Sequence, residues 1–390
     1  MEQDGIAKKK ILHTTTRFVL GGGVEKNIYY TIANLKDDFE FHLSCGAGFE
    51  DDLLHNQPEI RIIICPHLVN TIHPLKDFKA LWFYYKLIRK EKYDIVHTHE
   101  TKASFITKLA AWMAKCPYII YGLHGVTFND PMPYLKRRFY ILLEKLTINC
   151  ANLIISVGHN TIEAYQKENI GNKIPYEIVR SGIDIESWLK QALTSPEEKR
   201  IFRKSLGIDE NDMVLITVGR FSFSKAQRYA IEAFAILQKK YNNLKLLLIG
   251  EGELLETCKG LADSLGISRQ SILFLGYRKD VPAFLSISNL FIFTSLREGL
   301  PRVLVEASLL QVPVVTFAVE GATEVICNNE TGYIVQQGNL DLLIYYTEQL
   351  ILQPELRAEF GKSAQEHVIE NWDMHIMAKQ LKKIYNRNIV

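Results

Sequence analysis

Short apolar runs alternate along the chain with longer stretches in which apolar residues recur every three or four positions. The short runs predict buried strands, and the longer period predicts amphipathic helices between them. Strands are predicted at 10–14, 40–45, 60–65, 94–97, 118–123, 152–157, 176–179, 213–218, 244–249, 271–275, 290–294, 312–317 and 332–335. Because helices separate them, we expect parallel pairing through crossover connections.

These strands are too many for one ordinary doubly wound sheet, so the pattern favours two Rossmann-like α/β domains. We place the first domain at 1–180 and the second at 181–372, with the polar stretch Arg180–Asp184 as the hinge. Parallel sheets of this kind bind ligands beyond the carboxyl ends of their strands. With the two sheets facing across a cleft, the strand-to-helix loops are where a site is expected.

Composition excludes several classes of protein. The chain has 390 residues, is 47% hydrophobic and carries a formal net charge of +2, which is enough for two cores but makes no electrostatic case for nucleic acid. Six scattered cysteines without a Cys-x-x-Cys pair indicate reduced thiols. The lysine-rich start lacks an apolar segment behind it, and no apolar stretch is long enough to span a bilayer, so we expect a cytoplasmic enzyme.

Glu298 and Glu306 lie on either side of a predicted helix start. Gly299 interrupts the preceding strand and Pro301 suits the first helical position, so a helix should begin near 301. Its free N–H groups would bind a phosphate, with the two glutamates accepting hydroxyl hydrogen bonds from a sugar and a ribose. The candidate binding residues here are Glu298, Gly299, Leu300, Pro301, Arg302, Val303 and Glu306. The alternative is a pair of solvated surface carboxylates.

Two cations follow the predicted strand 213–218. Arg220 offers a planar fork and Lys225 a mobile point charge, so the pair could neutralise a departing diphosphate. The alternative is a loop with two solvated bases. No Asp-x-Asp element is present to hold a divalent ion, and we therefore predict a site without a metal.

Glycines and histidines mark the strand ends of the first domain. Gly21, Gly22 and Gly23 follow the first strand and would allow a phosphate or an acceptor to approach the backbone. They do not form the Gly-x-Gly-x-x-Gly pattern of dinucleotide-binding oxidoreductases. His124 ends the strand 118–123, where its imidazole could hydrogen-bond a substrate oxygen. The alternating His97 and His99 suggest a metal pair, but no third ligand is evident in the sequence, which favours a structural role.

Taken jointly, these segments resemble retaining glycosyltransferases of family four, which have the GT-B fold. The resemblance covers nearly the whole chain and rests on a Gly-Arg-x(4)-Lys loop and a Glu-x(7)-Glu motif. It extends to Gly22–Glu25, Asp94–His99, His124–Gly125, Ser181–Asp184 and Leu248–Gly252. Two departures stand out, because Ala226 replaces a usual glycine after Lys225, and Glu320–Glu324 retains only one glycine of a usual pair.

The resemblance implies specific roles for the candidate residues. Glu298 would hold the donor sugar and Glu306 the ribose, while Arg220 and Lys225 would stabilise the leaving diphosphate. His124 would face the donor sugar, and the C-terminal helix, about 373–387, would return to the first domain. We expect a UDP-sugar donor, no cofactor, and a saccharide or polyprenyl-linked acceptor of cell-envelope polysaccharide or glycolipid assembly. The same fold also admits a nucleotide-sugar epimerase, a pyridoxal-dependent phosphorylase, or a non-catalytic sugar-nucleotide-binding scaffold.

Two basic segments of the first domain suggest an acceptor at a membrane surface. Residues 76–92 combine lysines with aromatic residues, and Leu135, Phe139, Leu142 and Leu146 repeat at helical spacing beside Lys136, Arg137 and Arg138. Basic amphipathic helices can rest on the cytoplasmic face of an anionic membrane. The alternative is that the apolar residues belong to the core.

Overall fold

The computed structural model describes residues 8–19, 22–47, 49, 60–129 and 132–387. All thirteen predicted strands are present. They are β1 Lys10–Thr14, β2 Glu40–Cys45, β3 Arg61–Ile64, β4 Ile95–His99, β5 Tyr118–Leu123, β6 Leu153–Ser156, β7 Tyr176–Ile178, β8 Met213–Val218, β9 Leu244–Ile249, β10 Ile272–Phe274, β11 Leu290–Phe293, β12 Val314–Phe317 and β13 Gly332–Val335.

Helices connect the strands, as the apolar periodicity predicts. They are α1 Gly23–Leu35, α2 Pro74–Glu91, α3 Thr101–Met113, α4 Tyr134–Ile148, α5 His159–Lys167, α6 Ile185–Lys190, α7 Pro196–Ser205, α8 Arg228–Gln238, α9 Leu255–Ser264, α10 Val281–Ser286, α11 Arg302–Leu309, α12 Ala322–Val325, α13 Leu340–Leu352, α14 Pro354–Trp372 and α15 Met374–Tyr385. None of the helices in the described part of the chain has both the length and the apolar character needed to cross a bilayer.

The chain divides into two compact units. The first runs to Ile183 and also includes the segment from Met374 onward, and the second is Asp184–Asp373. The first unit contains a parallel sheet in the order β3-β2-β1-β4-β5-β6-β7, and the second a parallel sheet in the order β10-β9-β8-β11-β12-β13. Both sheets are of the doubly wound type, because consecutive strands extend first to one side of the initial strand and then to the other.

Apolar side chains fill both faces of each sheet. In β1, Ile11 belongs to one buried cluster and its neighbour Leu12 to another on the opposite face. In β8, Val214, Leu215 and Ile216 are all fully buried. Strands covered on both sides can be continuously apolar, which is why their apolar runs are so clear in the sequence. Helix α15 joins the first core, where Tyr385 is fully buried.

A buried ion pair connects α3 to α4 within the first unit. The Lys108 ammonium lies 3.3 Å from a Glu144 carboxylate oxygen and 3.8 Å from the ring centre of Tyr121. The Tyr121 hydroxyl donates to the other Glu144 oxygen at 3.2 Å. Both charges are therefore compensated by a partner, as buried charges must be.

Candidate active site

The residues predicted to bind a donor lie at the switch point of the second sheet. Strands β8 and β11 are neighbours in the sheet, and their connections leave in opposite directions. The loop 219–227 follows β8 and the loop 294–301 follows β11. Because ligands of doubly wound sheets bind in the crevice at such a point, the topology places both predicted segments where a ligand is expected.

Hydrogen bonds hold these two loops together. The Gln227 side-chain amide donates to the carbonyl oxygens of Gly219 at 3.2 Å and Arg220 at 3.0 Å. The Thr294 hydroxyl donates to the Lys225 carbonyl at 3.1 Å, so the second loop is tied to the first. Ala226, where the family usually has glycine, has a φ of 46°, a left-handed conformation that glycine adopts at less cost. The loop therefore keeps the glycine conformation although the glycine is absent.

Lys225 and Glu298 form a direct ion pair. The Lys225 ammonium contacts one carboxylate oxygen of Glu298, and the Ser295 hydroxyl donates to the same oxygen at 2.7 Å. The two side chains are 26% and 13% exposed, so water screens the pair only in part. A cation suited to phosphate and an anion suited to sugar hydroxyls are thus side by side at the switch point.

Arg220 lies on the exposed side of the same loop. Its guanidinium is 73% exposed and lies 3.2 Å from the Glu253 carboxylate. The glycines at 250 and 252 have a steric cause, since a Cβ on Gly250 would approach the Gly219 carbonyl oxygen to 2.1 Å. A Cβ on Gly252 would approach the Phe221 carbonyl oxygen to 2.3 Å. The Leu248–Gly252 segment therefore supports the arginine loop through its backbone.

The turn before α11 differs from the prediction in one respect. Pro301 precedes the helix at its N-cap, and the first helical residue is Arg302, so the placement of Pro301 at the first helical position was wrong. The proline has a ψ of 89°, which is outside the helical range. Leu300 lies in this turn and Val303 in the first helical turn. Glu306 lies in the second helical turn, and its carbonyl accepts a hydrogen bond from the Trp188 indole at 3.3 Å.

One glycine of the Glu320–Glu324 segment supports that turn. Gly321 has a φ of 75°, and a Cβ there would approach the Gly299 carbonyl oxygen to 2.1 Å. Any side chain at 321 would push the turn away. The glycine that this chain retains is thus the one that the close backbone contact requires.

In the first unit, Gly22 lies against the carboxylate of Glu25. Gly22 caps α1, which begins at Gly23, whereas Gly21 is outside the described residues. A Cβ on Gly22 would overlap the Glu25 carboxylate at 1.7 Å. Burial raises the pKa of Glu25, which sits in the first turn of the helix. Gly22 therefore makes room for Glu25, a residue for which we predicted no role.

Glu100, directly after β4, was also missed by sequence reasoning. Its carboxylate accepts hydrogen bonds from the Thr15 hydroxyl at 3.0 Å and the Thr16 backbone N–H at 2.9 Å. Its φ is 60°, which is strained for a residue with a side chain. Strained residues cluster at functional sites, and this one lies at the switch between β1 and β4. A backbone angle leaves no trace in the sequence, so no pattern could have revealed it.

His124 is one end of a cluster of imidazoles. Nε2 of His124 lies 2.8 Å from Nδ1 of His99. Nε2 of His99 in turn lies 2.9 Å from Nδ1 of His13. His13 is directly opposite His97 in the register of β1 and β4, so a third imidazole does lie beside the His97 and His99 pair. The sequence could not show this, because the register that aligns the fourth residue of β1 with the third residue of β4 is set by the sheet. Ring nitrogens of His13, His97 and His99 lie within 4.8 Å of one another.

The cluster is electrically neutral near neutral pH. Burial lowers the pKa of His13 to about 3 and that of His124 to about 4. The pKa values of His97 and His99 also fall well below the ordinary value, mainly through burial. Neutral imidazoles can bind metals, but no carboxylate of the described residues joins this group of three. The absence of a metal from the catalytic site stays a prediction.

Comparison with known proteins agrees with this architecture. The chain matches the family Glycosyl transferases group 1 over residues 198–367 and the family Glycosyltransferase Family 4 over residues 21–187. It is 26% identical over 391 residues to the UDP-Gal:alpha-D-GlcNAc-diphosphoundecaprenol alpha-1,3-galactosyltransferase of Escherichia coli, covering 97% of each chain. It is 29% identical over 358 residues to the capsular polysaccharide biosynthesis glycosyltransferase CapM of Staphylococcus aureus, covering 90% of each.

The fold also matches solved structures. Anabaena Alr3699/HepE in complex with UDP superposes with a TM-score of 0.81 and 21% identity, over 96% of this chain and 99% of that chain. The two parallel doubly wound sheets and this structural match define an α/β fold of the GT-B class. The chain belongs to the family 4 glycosyltransferases, and it is a glycosyltransferase.

Proposed function

We propose that this protein is a retaining glycosyltransferase that moves a sugar from a UDP-sugar to a polyprenyl-linked saccharide in cell-envelope polysaccharide or glycolipid assembly. The observation that carries the proposal is the contact between Lys225 and Glu298 at the switch point of the second sheet. The names of two relatives support the substrates, since one uses UDP-galactose with a diphosphoundecaprenol acceptor and the other acts in capsule synthesis.

The chemistry of the site accounts for a diphosphate leaving group. Lys225, Arg220 and the N–H groups at the start of α11 offer positive charge to the diphosphate, and these charges act most strongly as the bond to the sugar breaks. Glu298 binds hydroxyls of the donor sugar, and Glu306 binds the ribose. The acceptor oxygen forms a bond to the anomeric carbon on the face that the diphosphate leaves. The acceptor proton passes to a diphosphate oxygen, so the step needs no protein nucleophile.

Helix α4 exposes an apolar face that suits a lipid surface. Leu135, Phe139, Leu142 and Leu146 lie on one side of the helix and are all exposed, with Leu135 at 80%. The alternative that these four residues belong to the core is therefore wrong. Lys136 and Arg138, in the same helix, are exposed next to them. Such a combination favours insertion of apolar side chains between anionic headgroups.

Helix α2 shows the same combination of exposed apolar and basic residues. Leu75, Phe78 and Trp82 recur at helical spacing and are exposed, with Phe78 at 67%. Helix α3 packs against both α2 and α4, so the two helices belong to one layer of the first unit. We propose that this layer holds the enzyme at the cytoplasmic face of the membrane, where a polyprenyl-linked acceptor is found.

A donor panel tests the proposed activity. The purified protein is incubated with UDP-, GDP-, ADP- and CMP-sugars, and thermal unfolding is recorded, because a ligand that binds the folded state raises its stability. UDP-sugars should raise the unfolding temperature, and the Lys225→Met variant should lose most of that rise. If UDP-sugars stabilised Lys225→Met as much as the unmodified protein, the ion pair would not be part of the donor site.

Two assays separate transfer from the alternatives and test the membrane. Incubation with a stabilising donor and a polyprenyl-diphosphate saccharide should release UDP and extend the acceptor, whereas an epimerase would change the donor alone.

Sedimentation with vesicles tests the membrane role of α4. The protein should bind vesicles of anionic lipid, and this binding should fall in the Leu135→Ser/Leu142→Ser variant. The control is Ile201→Ser, which replaces an exposed apolar residue of α7 in the second unit. Equal vesicle binding by both variants would refute the membrane role of α4.

A further inference from the structure

Four imidazoles and one phenol form a continuous chain of hydrogen bonds in the first unit. The Tyr385 hydroxyl lies 2.8 Å from Nδ1 of His97 and 3.5 Å from Nε2 of His13. Nδ1 of His13 lies 2.9 Å from Nε2 of His99, and Nδ1 of His99 lies 2.8 Å from Nε2 of His124. This imidazole chain runs from the C-terminal helix α15 to the carboxyl end of β5.

The number of protons limits how this chain can be arranged. A neutral imidazole carries its proton on one nitrogen, so it donates from that nitrogen and accepts at the other. All four imidazoles are neutral near pH 7 because burial opposes their charging. The direction of one bond therefore sets the direction of the next. Two arrangements satisfy every bond with the Tyr385 proton used in the chain, and they run in opposite directions. In a third arrangement Tyr385 accepts from both His97 and His13, and this leaves its buried hydroxyl proton without an acceptor among the described residues, so it is disfavoured.

The two arrangements differ at the inner end of the chain. In the first, His97 donates to Tyr385, which donates to His13, and each ring then donates onward until Nε2 of His124 accepts. In the reverse arrangement, the last proton is left on Nε2 of His97. That nitrogen is buried and has no hydrogen-bond partner among the described residues. The first arrangement leaves only a lone pair there, whereas the second leaves a buried N–H group without an acceptor.

Buried N–H groups without an acceptor are rare in proteins because their desolvation is not compensated. The first arrangement is therefore favoured, and it leaves the proton of His124 on Nδ1. None of the described residues hydrogen-bonds that nitrogen. The outer nitrogen of His124 is thus a donor, and it belongs to a partly exposed residue at the carboxyl edge of the sheet.

We propose that His99, oriented by His13, Tyr385 and His97, fixes His124 in the tautomer that carries its proton on Nδ1. His124 then presents an N–H donor to an acceptor oxygen of the substrate, a sugar hydroxyl or a phosphate oxygen. His99 is a positioning residue in this scheme. This proposal rests on the proposed function only for the identity of the ligand, because the tautomer of His124 is set in the protein before any ligand binds.

Gly122 supports the contact between the last two rings. A Cβ at this position would lie 3.0 Å from Nδ1 of His99 and 3.1 Å from Nε2 of His124, the two atoms of the bond. A methyl group there would press on both rings. Gly122 therefore provides a second way to disturb the bond without replacing either histidine.

Nuclear magnetic resonance of the full-length protein labelled with ¹⁵N-histidine tests the tautomer. The nitrogen shifts, and their couplings to the ring protons, should show the His124 proton on Nδ1 in the unmodified protein. In His99→Phe, which removes the donor to Nε2, the proton should spread over both nitrogens. Gly122→Ala should act in the same direction. His99→Asn keeps a side-chain N–H and should largely restore the tautomer.

The matched control is His42→Phe, which removes another buried imidazole of the same sheet. His42 bonds to the Tyr93 hydroxyl at 2.7 Å and takes no part in the imidazole chain, so the His124 signals should not change. Protonation of His124 on Nε2 in the unmodified protein would overturn the proposal, as would an unchanged tautomer in His99→Phe. A stoichiometric metal found by elemental analysis of the purified protein would also overturn it, because His13 and His99 would then bind the ion.

Discussion

Lys225 and Glu298 should behave as one functional unit, because their side chains are in direct contact. We consider Lys225→Met, which keeps most of the apolar stem, Glu298→Gln, which keeps the shape, and the double variant. Loss of either charge leaves the other without its partner in a site that is only partly solvated. The second replacement should therefore cost less in the background of the first than in the native protein.

The expected size follows from the exposure of the pair. Two unit charges about 4 Å apart interact by about 4 kcal/mol near a protein surface. Desolvation and the remaining exposure reduce the net coupling to about 1–2 kcal/mol. Turnover should fall about 100- to 1000-fold in each single variant, the usual effect of removing one electrostatic stabiliser of a transition state. The double variant should be about ten times more active than the product of the two losses predicts.

Initial rates of sugar transfer under saturating donor measure the coupling, and urea unfolding checks the fold. Arg220→Ala is the informative comparison, since Arg220 is largely exposed and does not contact Glu298. It should lose about ten- to a thousandfold in turnover while its stability changes by about 0.5 kcal/mol or less. Independent effects of Lys225→Met and Glu298→Gln, or native turnover in Arg220→Ala, would refute the reasoning.

Four other predictions concern binding, metal, pH and stability. Glu306→Gln should raise the donor KM more than it lowers kcat, whereas Glu298→Gln should lower kcat, and UDP titration should show weaker binding only for the former. Transfer should continue in excess chelator, and a complete loss restored only by a divalent ion would contradict this. Because burial lowers the pKa of His13 to about 3, the folded state resists protons that the unfolded state binds below about pH 6.5. As the pH is lowered from about 6.5 to about 3, the free energy of unfolding should therefore fall by up to about 1.4 kcal/mol per pH unit for this group. In His13→Phe, urea unfolding measured across this range should show a smaller slope. Lys108→Met should lower the free energy of unfolding by about 3–5 kcal/mol and Lys108→Met/Glu144→Leu by much less, and equal losses would show that the stranded charge is not the cause.

The strands and the positions of the proposed donor-binding loops could be predicted from the sequence because their causes are local. A strand covered on both faces must be apolar at nearly every position, as Val214, Leu215 and Ile216 are. The loops at 219–227 and 294–301 follow such strands directly. Parallel sheets bring all carboxyl ends to one edge, which is why loop position alone could predict a site there.

Other features depend on the third dimension. The contact between Lys225 and Glu298 joins residues on two strands that the sheet order makes neighbours. The requirement for Gly321 comes from the Gly299 carbonyl. No periodicity reports a distance between remote segments or a positive φ such as that of Ala226.

The histidines show the division most clearly. The sequence placed His97, His99 and His124 at the ends of strands, because the apolar runs locate those ends. Only the register of β1 on β4 brought His13 beside them, and only the return of α15 added the hydroxyl of Tyr385. Apolar patterning is set by burial along each segment, so it can be seen in one dimension. Hydrogen-bond partners are set by how segments pack, so the tertiary structure alone determined which nitrogen faces which.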